Sequence, residues 1–338
     1  MPVLQAFCLN LTSYIWSYFG ANVYCYSLRP LTNPSNYNIL NLNKKKNQIY
    51  CDVKNYNDLK NFLEKTQPEI IFHLAAQSLV KKSYKDPKET FNTNCIGTLN
   101  ILDISMKLKK LKSLVIVTSD KCYKNKEKKS GYNENDELGG SDPYSSSKAA
   151  AENIFSAYLN LAKKKKLNFG LVSVRAGNVI GGGDWSEDRI IPDFIKSLSS
   201  KKPFYVRSPN SVRPWQHVLD LLNGYLILAM KLYKNPLKFS GSWNFGPNNT
   251  KDLNVLEIIK YLKIKMNVNK KIILKKDKKF TETVFLKLKS YKSKNMLNWK
   301  TKLNTHQALE LTAEWFDTYL KKSNVLNISK NQVKKFYD

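Results

Sequence analysis

The sequence predicts an α/β fold, a doubly wound parallel sheet with a smaller mixed C-terminal region. Two observations carry this. Through roughly the first 175 residues, apolar runs of strand length alternate with longer segments of helical pattern. Near-continuous apolar strands separated by helices mark a parallel sheet covered on both faces. After Arg175 the texture changes to a Gly181-Gly182-Gly183 loop and segments of mixed pattern.

Each element follows from local sequence. Residues 23–28, 69–74, 114–118 and 170–174 read as strands, and Leu74 is followed by the small residues Ala75 and Ala76. Residues 56–66, 93–109 and 143–163 read as helices. The last has the clearest start: Asp142 suits an N-cap, Pro143 the first helical position, and Ala149, Ala150 and Ala151 continue it. Ligands of such sheets sit beyond the carboxyl ends of the strands, and the informative residues fall there. Residues 323–338 read as a loosely held tail.

Composition limits the function classes. The chain has 338 residues, 42% hydrophobic and 12% aromatic, enough for a large core. No apolar run approaches the roughly 18 residues of a membrane span. Gln5, Asn10, Thr12 and Ser13 interrupt the mildly apolar start, which has no basic lead-in, so no signal peptide is expected. The five cysteines, Cys8, Cys25, Cys51, Cys95 and Cys122, are odd in number and lack C-x-x-C spacing. They point to a reducing cytoplasm rather than a disulfide framework. With only His73, His217 and His306 present, no histidine-built metal site is expected.

The net charge of +29 invites a nucleic-acid or membrane reading. Of the 56 basic residues, however, 51 are lysines, scattered in short runs such as 44–46 and 163–166 with no single basic helix. Compositional bias explains this better than a specific site, although salt-sensitive adhesion to polyanions is expected. The arginines are more pointed. Arg175, Arg189, Arg207 and Arg213 fall within 39 residues, and only Arg29 lies elsewhere. Planar forks suit phosphates and carboxylates.

The sharpest motif is Asp142-Pro143-Tyr144-Ser145-Ser146-Ser147-Lys148. Tyr144 and Lys148 share a helix face, and a nearby ammonium should favour ionisation of the phenol, which could then take a proton from a sugar hydroxyl. Alone the pair is weak. It gains force from Thr118-Ser119-Asp120-Lys121 at the end of an apolar strand, where Ser119 could hold the same hydroxyl.

A Ser/Tyr/Lys set in this order resembles the short-chain dehydrogenase/reductase superfamily. Residues 72–77 (FHLAAQ), 92–98 (NTNCIGT) and 175–181 (RAGNVIG) resemble its extended branch, a Rossmann fold. Within that branch TSDKCY at 118–123, GNVIGGGDW at 177–185 and RPWQHV at 213–218 resemble the CDP-glucose 4,6-dehydratases. Related dTDP and GDP enzymes usually carry Asp-Glu where this chain has Asp120-Lys121, and simple epimerases lack the pair.

The resemblance implies an NAD-dependent, redox-neutral reaction. Tyr144 would deprotonate the C4 hydroxyl as hydride leaves for the cofactor. Lys121 would then take the C5 proton as a neutral amine, and Asp120, protonated, would release the C6 hydroxyl as water before hydride returns to C6. The product would be CDP-4-dehydro-6-deoxyglucose, made for deoxysugar or surface-polysaccharide synthesis. By the same resemblance Asp52, Val53, Leu74, Ala75, Ala76 and Asn94, with Tyr144 and Lys148, would line the cofactor site. Asn178, Arg189, Arg207, Arg213 and His217 would serve the substrate, with a fainter indication for Glu282. His73 is expected to be structural, and Trp185 and Trp215 to be core. The cofactor domain would span 1–177 plus about 206–247, and the sugar-nucleotide region about 178–205 plus 248–338. A homodimer through the helices at 93–109 and 143–163 is implied.

Two features depart from the pattern. The glycine-rich loop expected after the first strand, where backbone meets the cofactor pyrophosphate, is missing, and its glycine positions fall on Val3, Ala6 and Leu9. Two explanations stay open: a truncated or out-of-frame start, or a homologue that has lost cofactor binding and retains a non-catalytic role. Arg29 stands where an acidic residue often meets the adenosine ribose, which leaves NADP as a second cofactor reading. An epimerase or reductase of the same fold is the further alternative, and the Asp120-Lys121 pair argues against it.

Overall fold

The computed structural model describes residues 15–30, 32–40, 47–247, 253–275 and 286–338. The glycine-loop positions Val3, Ala6 and Leu9, and also Glu282, lie outside the described residues. The strands are β1 (Cys25–Ser27), β2 (Gln48–Tyr50), β3 (Ile70–His73), β4 (Ser113–Val117), β5 (Gly170–Ala176), β6 (Val179–Ile180), β7 (Phe204–Val206), β8 (Gln216–His217), β9 (Gly241–Phe245) and β10 (Ile272–Leu274). Four of them form a parallel sheet in the order β3-β4-β5-β9. β1 and β2 make a separate parallel pair, as do β6 with β8 and β7 with β10.

The apolar run of β4 shows why the sheet is covered on both sides. Successive side chains of a strand point to opposite faces. Leu114 and Ile116 enter one cluster, with Ile71 of β3, Leu171 of β5 and the helices Tyr56–Thr66, Gly97–Ser105 and Pro143–Lys164. Val115 enters the opposite cluster, with Val172, Val174, Trp243 and the helix Val218–Lys234. A residue such as Val115, with none of its surface exposed, leaves no room for the polar alternation of a one-sided sheet.

The helix expected over residues 93–109 is built differently. Asp86 caps a short helix, Pro87–Phe91, which widens into a π-helical turn, Asn92–Ile96, and then continues as Gly97–Ser105. Helix Pro143–Lys164 starts as its sequence implies: Asp142 accepts from the Ser145 N–H at 3.0 Å, with Pro143 in the first turn.

A second core joins the helices Ile190–Ser197, Val255–Lys265 and Thr305–Leu320 to β7, and both Trp185 and Trp215 are buried in it. The triple-glycine loop packs between this core and the segment that holds Asn36. A Cβ on Gly182 would lie 2.0 Å from the Trp315 ring, and Gly183 sits at φ +89° with Asn36 2.6 Å from where its Cβ would be. Neither position accepts a side chain.

The C-terminal stretch corrects the expectation of a loose tail. Residues Val325–Tyr337 form a helix capped by Asn324. Val333 and Phe336 enter the sheet core beside Leu297 and Trp299. The pattern Val325, Ser329, Gln332, Val333, Phe336 buries one stripe. Its many lysines masked that stripe in the sequence.

Candidate active site

The carboxyl end of β4 runs into Thr118 and Ser119 and then one tight turn, Asp120–Cys122. Ser119 organises it. Its Oγ accepts from the Lys121 N–H at 3.2 Å and donates to Asp120 Oδ1 at 2.9 Å. Asp120 is buried against Gly177, where a Cβ would come within 2.9 Å of Oδ2. Burial raises the Asp120 pKa, opposed by the charges of Lys121 and Arg213 and by the Ser119 hydroxyl. The direction is the one an acid needs.

Helix Pro143–Lys164 presents Tyr144, Lys148 and Glu152 along one face, each a turn apart, and all three are buried. Tyr144 is not the lowered phenol that its spacing from Lys148 predicts. Its phenol is pushed up to about 12, mainly by burial, with the Ser119 hydroxyl and Arg189 pulling it down; Asp120 and Asp142 add to the rise. Desolvation of the ring is the largest influence on it. Burial brings Lys148 down to about 8. Its Nζ reaches the Val117 carbonyl at 3.4 Å.

Of the residues expected at the cofactor, Leu74, Ala75 and Ala76 follow β3, with Leu74 and Ala76 buried and Ala75 half-buried. Asn94, in the π-helical turn, fixes this segment. Its Oδ1 accepts from the Gln77 N–H at 2.7 Å, and its Nδ2 donates to the Gln77 carbonyl at 3.0 Å and to Ser147 Oγ at 2.8 Å. One amide thereby ties the β3 exit to the helix of Tyr144. Asp52 and Val53 follow β2: Asp52 accepts from the Lys54 N–H at 2.9 Å, and Val53 packs on Gly97. Arg29 lies just past β1 with its guanidinium 4.8 Å from the Tyr50 ring centroid. His73 is buried, contacts Thr98 Oγ1 at 3.3 Å and has its pKa brought down to about 3, chiefly by burial.

The residues expected to serve a substrate divide. Arg189, at the start of helix Ile190–Ser197, acts on Tyr144, and Arg213 acts on Asp120. Asn178 is half-buried between β5 and β6, its carbonyl accepting from the Gln216 N–H at 3.2 Å. Arg207 is exposed and pairs with Asp188 at 3.4 Å, which also binds Lys81. His217 is 2% exposed and caps helix Val218–Lys234, its Nδ1 accepting from the Leu219 N–H at 3.3 Å. Its Nδ1 thus serves as a helix cap, while its Nε2 is buried without a partner among the described residues.

Sequence reasoning passed over a buried network beneath the site. Glu152 pairs with Arg175 at 2.7 Å, and Arg175 donates to Tyr123 Oη at 2.7 Å. One signal was available: Glu152 lies four residues beyond Lys148 on the face that Tyr144 occupies.

Does the pocket suit a dinucleotide? Lys148 is 2% exposed, and among the described residues its ammonium has three donors for one carbonyl at 3.4 Å. The Ser78 hydroxyl, just past the Ala75-Ala76 segment, is buried without a partner among the described residues. Unused donors at the carboxyl ends of parallel strands fit the hydroxyls of a nicotinamide riboside.

The sequence profile of the GDP-mannose 4,6 dehydratase family matches residues 20–312. The CDP-glucose 4,6-dehydratase of Salmonella typhimurium is 38% identical over 318 residues, 93% of this chain and 89% of that protein. UDP-glucose 4-epimerase of Thermotoga maritima, solved with UDP-glucose, superposes with a TM-score of 0.77 at 21% identity, over 92% of this chain and 96% of its own. The dTDP-glucose 4,6-dehydratase of Bacillus anthracis, solved in complex with NAD, superposes at 0.75 with 22% identity, over 94% and 95%. Those two structures establish the shared Rossmann fold. The profile and the Salmonella relative go further, and by them the chain belongs to the GDP-mannose 4,6 dehydratase family of extended short-chain dehydrogenase/reductases.

Proposed function

We propose that this chain is a CDP-glucose 4,6-dehydratase, a lyase that converts CDP-D-glucose to CDP-4-dehydro-6-deoxy-D-glucose and water with NAD. The observation that carries the reading is the pairing of a buried acid, Asp120, with Lys121 on the turn whose Ser119 interacts with Tyr144. Similarity to the Salmonella enzyme supports the choice of CDP-glucose.

The chemistry follows from the groups present. Tyr144 takes the proton of the C4 hydroxyl, with Ser119 orienting that hydroxyl and Lys148 holding ribose hydroxyls through its unused donors. Held there by Lys148 and the segment after β3, NAD would supply a hydride acceptor for C4 and a hydride donor for C6. The C4 ketone acidifies the C5 proton, which Lys121 removes. Asp120 gives its proton to the departing C6 hydroxyl, and water leaves. Adding hydride at C6 leaves a C4–C5 enolate, and C5 takes back the proton held by Lys121. Tyr144, which began as the phenolate, passes the proton gained from the C4 hydroxyl through solvent to Asp120, so substrate becomes product plus water. Arg189 and Arg213 lie close enough to act on Tyr144 and Asp120, and so suit the diphosphate side of the same substrate. In this reading the sugar nucleotide lies against 178–205 and 248–338, and the cofactor against the sheet.

The protein is further read as a cytoplasmic homodimer. Among the described residues Cys51, Cys95 and Cys122 are free thiols, which favours a reducing compartment. Ile96 and Leu161 expose apolar surface on the two helical segments expected to pair. A single-chain mass in light scattering would refute the dimer. Among the described residues, no helix is long and apolar enough to cross a membrane.

Turnover of CDP-glucose with added NAD tests the function. The parent should yield the 4-keto-6-deoxy product, and Tyr144→Phe should lose at least about 10²-fold in kcat, the usual scale for a proton-transfer group. A Tyr144→Phe variant as fast as the parent would remove the base from the mechanism.

A further inference from the structure

We propose that Glu152 and Arg175 are positioning residues that hold the two halves of the active site in register, an inference that rests on the dehydratase reading. The oxidation half is Tyr144 and Lys148 on a helix, with Ser119. The elimination half is Asp120 and Lys121 on the turn after β4. Both must address one sugar ring in succession.

The geometry places one ion pair between them. Glu152 shares its helix face with Tyr144 and Lys148. Its Oε1 accepts from Thr118 Oγ1, and its Oε2 accepts from Arg175 NH2 at 2.7 Å and Ser173 Oγ at 2.8 Å. Thr118 is the residue before Ser119. Arg175, on β5, donates through NH1 to Tyr123 Oη at 2.7 Å and to the Glu134 carbonyl at 3.1 Å. Tyr123 is the residue after Cys122, and its Oη donates onward to Asn244 Oδ1 of β9 at 2.7 Å. The catalytic segment 119–122 is therefore gripped at both ends, by Thr118 from Glu152 and by Tyr123 from Arg175.

Stability alone does not account for this arrangement. The Glu152 and Arg175 side chains are 1% and 3% exposed. Burying two charges costs about as much as their attraction returns, and apolar residues of similar volume commonly serve as well or better. A fixed fork with several partners instead supplies orientation. Displacing a reacting group by about 1 Å costs on the order of 10²-fold.

Two mild variants cut the grips one at a time and leave the ion pair in place. Tyr123→Phe releases the end beside Lys121, and Thr118→Val the end beside Ser119; Thr118→Ser keeps the hydroxyl. With CDP-glucose and NAD, kcat for Tyr123→Phe should fall about tenfold with KM within about twofold, as expected for a misplaced rather than missing group. A larger share of its cofactor should stand reduced at steady state, because elimination lags oxidation. Thr118→Val should slow without that accumulation, and Thr118→Ser should recover. In the protein without substrate or cofactor, the Lys121 and Cys122 amides should exchange hydrogen faster in Tyr123→Phe than in the parent.

Unchanged amide exchange, or an equal reduced-cofactor share in Tyr123→Phe and Thr118→Val, would overturn the proposal. A parent that fails to turn over CDP-glucose would instead overturn the dehydratase reading. The exchange measurement would then still decide whether the grip exists.

Discussion

Burial sets the protonation of the candidate catalytic groups, and it does so unevenly. Asp120 is raised by desolvation although Lys121, Arg213 and Ser119 all pull the other way. Gly177 makes that burial possible, because any side chain there would push on Oδ2 from 2.9 Å. Gly177→Ala should therefore displace the acid and lower kcat about tenfold, the cost of a small misplacement. A steady-state assay beside a melting curve checks this, and an unchanged kcat would show that the Asp120 position is not critical. Much at this scale was legible in advance. Ser119, Asp120, Tyr144 and Lys148 converge because motif spacing fixes helix faces and strand ends. The state of Tyr144 was not legible, since its rise to about 12 comes from burial that spacing does not reveal. Nor was the role of His217, whose Nδ1 caps a helix that the sequence reading had not delimited.

Among the elements, helix Val218–Lys234 shows how the chain past residue 253 is fastened to the sheet. Asp220 lies on that helix and accepts from the backbone N–H groups of Lys302 at 2.6 Å and Leu303 at 3.2 Å. Burial pushes its carboxyl up to about 6, against the pull of those two amides. A carboxyl with a raised pKa in the folded state favours folding while protonated. That contribution is full below the unfolded value of 3.8 and is lost as pH rises through about 6. Asp220→Asn removes the titration. Its melting temperature relative to the parent should be higher at pH 7.5 than at pH 4.5, and a difference independent of pH would contradict the assignment. Helix Pro143–Lys164 was readable to within a residue because Asp142 and Pro143 mark its start. Residues 87–105 were not, because the π-helical turn that aims Asn94 breaks the 3.6-residue period. The helix Val325–Tyr337 was missed because its buried stripe is interleaved with lysines and asparagines.

For the molecule as a whole, the alternation of apolar strand and helix predicted the doubly wound sheet, and the four-stranded parallel core realises it. The charge of +29 is carried mostly by scattered lysines, as on a solvated surface. What the reading could not anticipate were partners far apart in sequence, such as Glu152 with Arg175 and Asp220 with Lys302. Local pattern does not encode such pairings. The central claim concerns one hydride: it leaves C4 and returns to C6 of the same sugar, with water lost between. CDP-glucose deuterated at C4, incubated with the enzyme and NAD, tests this directly by the position of the label in the product. The account predicts a 4-keto-6-deoxy sugar carrying deuterium at C6. Deuterium retained at C4 in a sugar of unchanged mass, as an epimerase would leave it, would contradict the account.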